Sequence, residues 1–253
     1  MSTRIALRLL FVAATVFAAS ALVARPAAAQ ALVADISDHL VAITAGFTGT
    51  NVVVFGAVDG EGDVAIVVKG PERDVTVRHK GRIAGIWVNE NELQFVGVPL
   101  FYLVASSRPL GELAPPDVLK RHDIGLENMR LAAKRAVPKE ENQEFREGLI
   151  RNKLRQKLYF TEPFKVSFLT GRLFRSDFYI PANVPIGTYS VEVYFIRDSQ
   201  VVGAQTIPFI VSNAGVGADI QYFAHVHSIL YGIIAIFLAL AAGWGASVAF
   251  RRI

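Results

Sequence analysis

The chain has no cysteine in 253 residues. That absence excludes disulfides, thiolate nucleophiles, zinc–cysteine centres, iron–sulfur clusters and c-type haem attachment. Signature motifs are missing too. There is no GxSxG, no P-loop, no GxGxxG opening a helix and no HExxH. The five histidines are His39, His79, His122, His225 and His227, and none has metal-ligand spacing to another. Asp59, Glu61 and Asp63 alternate with glycine like half a calcium loop, but Val64 starts a strand, so a hairpin turn is expected. The serines of Ser106-Ser-Arg-Pro109 have no histidine nearby in sequence. The residues therefore suggest no enzyme, no catalytic residue, no cofactor and no metal ligand.

A large charge excess is also lacking. The formal charge is +4, from 26 basic and 22 acidic residues. Setting aside Arg4, Arg8 and Arg25 near the start leaves 23 against 22. Setting aside Arg251 and Arg252 at the end leaves 21 against 22. A middle region so close to neutral argues against nucleic acid as a partner.

What the chain does have is apolar sequence at both ends. Residues 9–23 form a short apolar run after Arg4 and Arg8, followed by Arg25-Pro26 and Ala27-Ala-Ala-Gln30. This layout is that of a cleaved secretory signal peptide over residues 1–29. Residues 229–250 carry no charge and meet Arg251-Arg252 directly. About 20 apolar residues cross a bilayer, so this run is long enough to span. The positive-inside rule then predicts a cytoplasmic tail at 251–253 and an exported ectodomain.

Between the runs, residues 30–108 read as β-rich. Short Val- and Ile-rich segments at 39–45, 51–55, 63–68, 86–88 and 100–105 are punctuated by glycine turns. Residues 109–160 read as a helical insertion, with a helix over 126–136 and a longer one over 139–158. In the longer one Glu140, Glu141 and Glu144 come first, and Arg151, Lys153, Arg155 and Lys157 come last, an order that suits the helix dipole. Its apolar stripe, including Phe145, Leu149 and Leu154, predicts packing on a sheet. Strands return over 161–213. Pro185-Ile-Gly-Thr-Tyr189 resembles a tyrosine corner, in which the hydroxyl bonds back to the local backbone. The expected fold is mainly β: an immunoglobulin-like antiparallel β-sandwich ectodomain with a helical insertion, plus one C-terminal transmembrane helix. One composite β unit is favoured over two small ones.

Residues 214–228 read as a linker with an interfacial segment. Within the span, Ala235, Ala239 and Gly243 recur every four residues, as do Ala242 and Ala246. Small residues at this spacing let another helix approach closely. Tyr231 and Trp244 sit at interface positions, with Arg251 and Arg252 beyond them.

Several segments have a family character: Phe47-Thr-Gly49 with Val54-Phe-Gly56, Gly85-Ile-Trp-Val-Asn89, Ser106-Ser-Arg-Pro-Leu110, Leu173-Phe-Arg175, Pro185-Ile-Gly-Thr-Tyr189, and Leu230-Tyr-Gly232 through Gly243-Trp244 to Phe250-Arg-Arg252. On these the chain resembles the alphaproteobacterial putative transmembrane protein family. The resemblance implies a leader, an ectodomain and a single C-terminal span, and it assigns no activity. It also implies a membrane-protein partner of the permease class. The residues themselves read as structural, with Arg108 and Arg175 expected to pair with carboxylates.

Together these readings suggest a membrane-anchored accessory or interaction protein of the bacterial inner membrane. Its ectodomain would be periplasmic and its partners the lipid bilayer and a membrane protein. The alternative is a periplasmic module that binds or senses a small ligand or ion, in a cleft between sheet and helical insertion.

Overall fold

The computed structural model describes residues 31–44, 46–83 and 86–250, so the predicted signal peptide and the pair Arg251 and Arg252 lie outside the described residues. Twelve strands are present among the described residues. The first seven are β1 (Leu32–Ile36), β2 (Leu40–Ile43), β3 (Gly49–Val58), β4 (Asp63–Lys69), β5 (Glu72–Ile83), β6 (Ile86–Pro99) and β7 (Tyr102–Ser106). The short β8 (Ala132–Ala133) precedes β9 (Phe164–Thr170), β10 (Leu173–Pro181), β11 (Gly187–Arg197) and β12 (Gln200–Asn213). The helices are α1 (Leu110–Leu113), α2 (Pro116–Arg121), α3 (Lys139–Arg155), α4 (Val216–Val226) and α5 (Ser228–Phe250).

Nine strands form one sheet in the order β1-β3-β10-β9-β7-β4-β11-β12-β2, and β5, β6 and β8 form a second. The fold is mainly β, as the residues predict. Pairing is mostly antiparallel, with two parallel contacts, β7 with β9 and β12 with β2. Strands from either side of the helical segment alternate in this sheet: β3 pairs with β10, and β4 with β11. Neither strand block therefore has a complete sheet of its own.

Side-chain periodicity explains how the sheet curls around a core. In β10, Phe174, Ser176, Phe178 and Ile180 are buried, while Leu173, Arg175, Asp177 and Tyr179 face out. That is the alternation of a strand with one wet face. In β4, Val64 through Val68 are all buried, as in a strand covered on both faces. The curl brings β1 over β12 at Gly203. A Cβ there would stand 3.2 Å from Leu32 Cβ, tighter than ordinary contact. The two-residue turn between β11 and β12 is made by Asp198 and Ser199, both at positive φ, the backbone that a tight hairpin of this twist requires.

The helical segment differs from expectation in one stretch. Residues 126–136 form no helix. Instead Ala132 and Ala133 pair with Val96 and Phe95, and the Lys134 N–H donates to the Gln94 carbonyl at 2.8 Å. Buried Met129 ties the stretch to the core, and β6 gains a partner along an edge that would otherwise be open. Pro138 then biases residue 137 away from helical dihedrals and starts α3 cleanly. Phe145 and Leu149 of α3 are buried, with Phe145 beside Val75 and Val77 of β5.

Candidate functional site

The C-terminal helix is the plainest functional element. Over Ser228–Val248 the mean hydropathy is 2.1, and none of that window is buried. Ile229, Phe237 and Trp244 are 81%, 69% and 73% exposed. Apolar area left in water costs roughly 25 cal/mol per Å2, so a helix bare all round belongs in lipid. Ala235, Ala239 and Gly243 lie four apart on it, as do Ala242 and Ala246, and a Cβ added at Gly243 would meet nothing within 4 Å. The small-residue stripe is thus uncovered by the described residues. Tyr231 lies in the first turn, its ring centroid 6.5 Å from that of Phe223 on α4, and Trp244 lies toward the far end.

The sheet reaches this helix by a short route. Only Ala214 and Gly215 separate β12 from α4; the Ala214 N–H donates to Ile43 O at 2.9 Å, and Gly215 has φ 92°. Following the registers, Asn213 pairs with Ile43, Val211 with Gly187, Ser190 with Lys69, and Lys69 with Tyr102. The same end therefore carries the 185–189 turn and the Gly70-Pro71 step into β5. Tyr189 completes the tyrosine corner there, its hydroxyl donating to Pro185 O at 2.7 Å.

From that end spring β5 and β6, and beside β5 lies α3. Between β5 and α3 is a groove of about 560 Å3. Its floor is apolar: Val75, Val77, Phe145 and Leu149, with Gly148 leaving the helix surface low. Arg151, Lys153 and Arg155 of α3 line it together with Glu144, whereas Arg78 and Lys80 alternate with Val77 and His79 along β5 and so belong to the strand's other face. Glu144 is already engaged, 3.2 Å from His79 Nδ1. Arg78 reaches Glu92 at 3.1 Å, and Arg155 donates to Asn152 Oδ1 at 3.3 Å. Lys80, Arg151 and Lys153 have no side-chain hydrogen bond or ion pair among the described residues. Burial of Lys153 against the groove holds its pKa below the usual lysine range.

The sequence placed a candidate ligand cleft between the sheet and the helical insertion without naming the residues that line it; this groove lies there. Its two sides are some 70 positions apart in the chain.

The other polar clusters hold the fold. Asp63 accepts from Ser107 Oγ at 2.9 Å and from Arg108 Nε at 2.9 Å, with a second Arg108 contact through Nη2. Arg175 grips Asp177 at 2.8 and 3.0 Å. Both arginines pair as expected. Residues 59–62 form the turn between β3 and β4, where the carbonyls of Asp59 and Glu61 accept from Arg197. On the face of β4 and β11 away from the sheet interior, Lys69 bridges Asp123 at 3.6 Å and Glu192 at 3.0 Å. The Tyr102 hydroxyl donates to Asp123 O and accepts from the Gly125 N–H at 3.0 Å. These contacts fasten the loop after α2 to the sheet. The ring of His122 lies 4.9 Å from that of Tyr194. Among the described residues, no group of three or more His, Asp or Glu side chains is placed to hold a metal ion.

No curated protein and no solved structure matches the chain. A family model described as "Putative transmembrane protein (Alph_Pro_TM)" matches residues 31–252, almost everything beyond the predicted leader. With a matched region that includes the sheet, the groove and the bare apolar helix, the chain belongs to this transmembrane protein family.

Proposed function

We propose that this chain is a non-enzymatic accessory protein of the bacterial inner membrane, anchored by α5 as a single pass. In this reading the β-rich ectodomain stands in the periplasm, the C-terminus lies in the cytoplasm, and the partner is another membrane protein, of the permease class. One observation carries the reading. A helix exposed along its whole apolar length follows the sheet after only a two-residue link and α4. A domain tethered this closely meets membrane-embedded partners far more often than soluble ones, because the tether sets a high effective concentration. The stripe Ala235, Ala239 and Gly243 supports contact between helices within the bilayer.

The test is a photo-crosslinking amino acid at position 239, with position 238 as the control on a different helix face, irradiated in intact cells. One discrete adduct with a membrane protein from position 239, and none from 238, is the expected result. Recovery of the monomer alone from both positions would overturn the partner reading. A reporter fused after Ile253 checks the orientation, and activity only on the external side would overturn it.

A further inference from the structure

We propose that the tip of the β5–β6 hairpin docks on the anionic lipid surface of the bilayer that α5 enters. The hairpin's direction follows from its register. Lys69 pairs with Tyr102 in the sheet, and Glu72 with Pro99 in the hairpin. Between these pairs the Gly70 N–H donates to Phe101 O at 2.8 Å and the Leu100 N–H to Pro71 O at 3.0 Å. One ribbon thus continues from β4 and β7 past the end of the sheet from which α4 and α5 leave. The 12 residues of β5 extend it by roughly 40 Å. The 11 residues of α4 rise about 16 Å, so the hairpin outreaches the gap between sheet and span.

The tip has the composition of a membrane interface. Residues 83–88 are all apolar, and residues 78–89 include Arg78, Lys80 and Arg82 with no carboxylate. Strand alternation puts these three cations on one face of β5, and Trp87 pairs with Arg82 there, while Ile83 pairs with Ile86 at the closing end. Glu92 engages Arg78 at 3.1 Å and Glu90 lies over Gly81 toward the other face, so exposed Lys80 keeps its charge unpaired. Among the described residues, the other strand on β6, β8, pairs only with Phe95 and Val96 and leaves these last rungs open. Tryptophan beside lysine and arginine suits the boundary between headgroups and acyl chains, where basic side chains reach lipid phosphates. An acidic protein would also attract the cations, but hairpin and span leave the sheet at the same end, which favours lipid.

The docking rests on the anchored reading, and the chain's 2 tryptophans separate the two. The test is the full chain reconstituted in bilayers of phosphatidylcholine and phosphatidylglycerol with brominated acyl chains, which quench tryptophan at short range. Trp244→Phe, a change on the bare apolar helix, leaves Trp87 as the reporter of the hairpin. Trp87→Phe leaves Trp244 as the reporter of the span. Both tryptophans should lose most of their emission. Trp87 alone should recover emission when phosphatidylglycerol is left out. Lys80→Gln should lower the ratio of docked to free hairpin about fivefold, the factor for one basic residue near an anionic surface. Quenching of Trp244 without Trp87, the outcome if the tip meets a protein or its own domain, would overturn the docking and leave the anchor. Unquenched Trp244 would overturn the anchor and the docking with it. Quenching of Trp87 that ignores both phosphatidylglycerol and Lys80→Gln would overturn the anionic surface as its target.

Discussion

Gln205 on β12 holds the backbone of Ala34 on β1 with both ends of its carboxamide. The Ala34 N–H donates to Oε1 at 2.9 Å, and Nε2 donates to the Ala34 carbonyl at 2.8 Å. A side-chain amide thus takes the place of a neighbouring strand where the curled sheet comes round on itself. β1 pairs with β3 along its other side, so without Gln205 these two groups would be buried and unpaired.

Removing this clamp has a calculable direction. Gln205→Leu keeps the bulk but leaves a buried N–H and C=O unsatisfied, which costs about 2–3 kcal/mol. Gln205→Glu retains the acceptor and loses the donor, so an intermediate loss is expected. Thr206→Ala, on the exposed neighbour, should be near neutral. Urea midpoints of the three variants rank them, and a Gln205→Leu midpoint equal to wild type would contradict the closure argument.

The tyrosine corner separates packing from bonding. The Tyr189 ring lies 5.8 Å from Phe101 and 4.9 Å from Phe209 between centroids, and burial raises the hydroxyl's pKa, so it stays a donor. Tyr189→Phe should lose the bond to Pro185 alone, about 1 kcal/mol. Tyr189→Ala should lose the ring as well, about 3–5 kcal/mol. Thermal melts of both variants measure the difference.

His122 supplies a pH dependence. Its pKa is held below the ordinary 6.5, first by burial and then by Arg121, with Asp123 and Glu192 opposing and Arg130 adding to the decrease. The folded chain therefore favours neutral imidazole. As pH falls below 6.5 the unfolded chain takes up the proton first, so stability present above that pH is lost on acidification. His122→Phe, which keeps an aromatic ring beside Tyr194, should flatten the fall in melting temperature between pH 7 and pH 5. An unchanged slope would remove His122 from the account.

Some site features were readable because their cause is local. Pro185 and Tyr189 are four residues apart, and Arg175 and Asp177 two, so a short motif contains both partners. Asp198 and Ser199 show the limit even of local reading. They carry the positive φ of a tight hairpin without the glycine or asparagine that usually signals one. The groove was foreseen only as a cleft between sheet and helical insertion, and which residues line it is decided only once β5 lies along α3.

Chain chemistry alone set the apolar tail long enough to cross lipid, the positions of most strands, the charge-ordered α3 and the absence of any thiol. Each depends on composition or period within a few residues, where covalent neighbours dominate. Folding in three dimensions decided which strands adjoin, how the sheet closes, and that residues 126–136 lie extended against β6 instead of forming a helix. Those outcomes turn on contacts such as Gln205 with Ala34, 171 positions apart, whose free energy appears only when distant segments exclude water together.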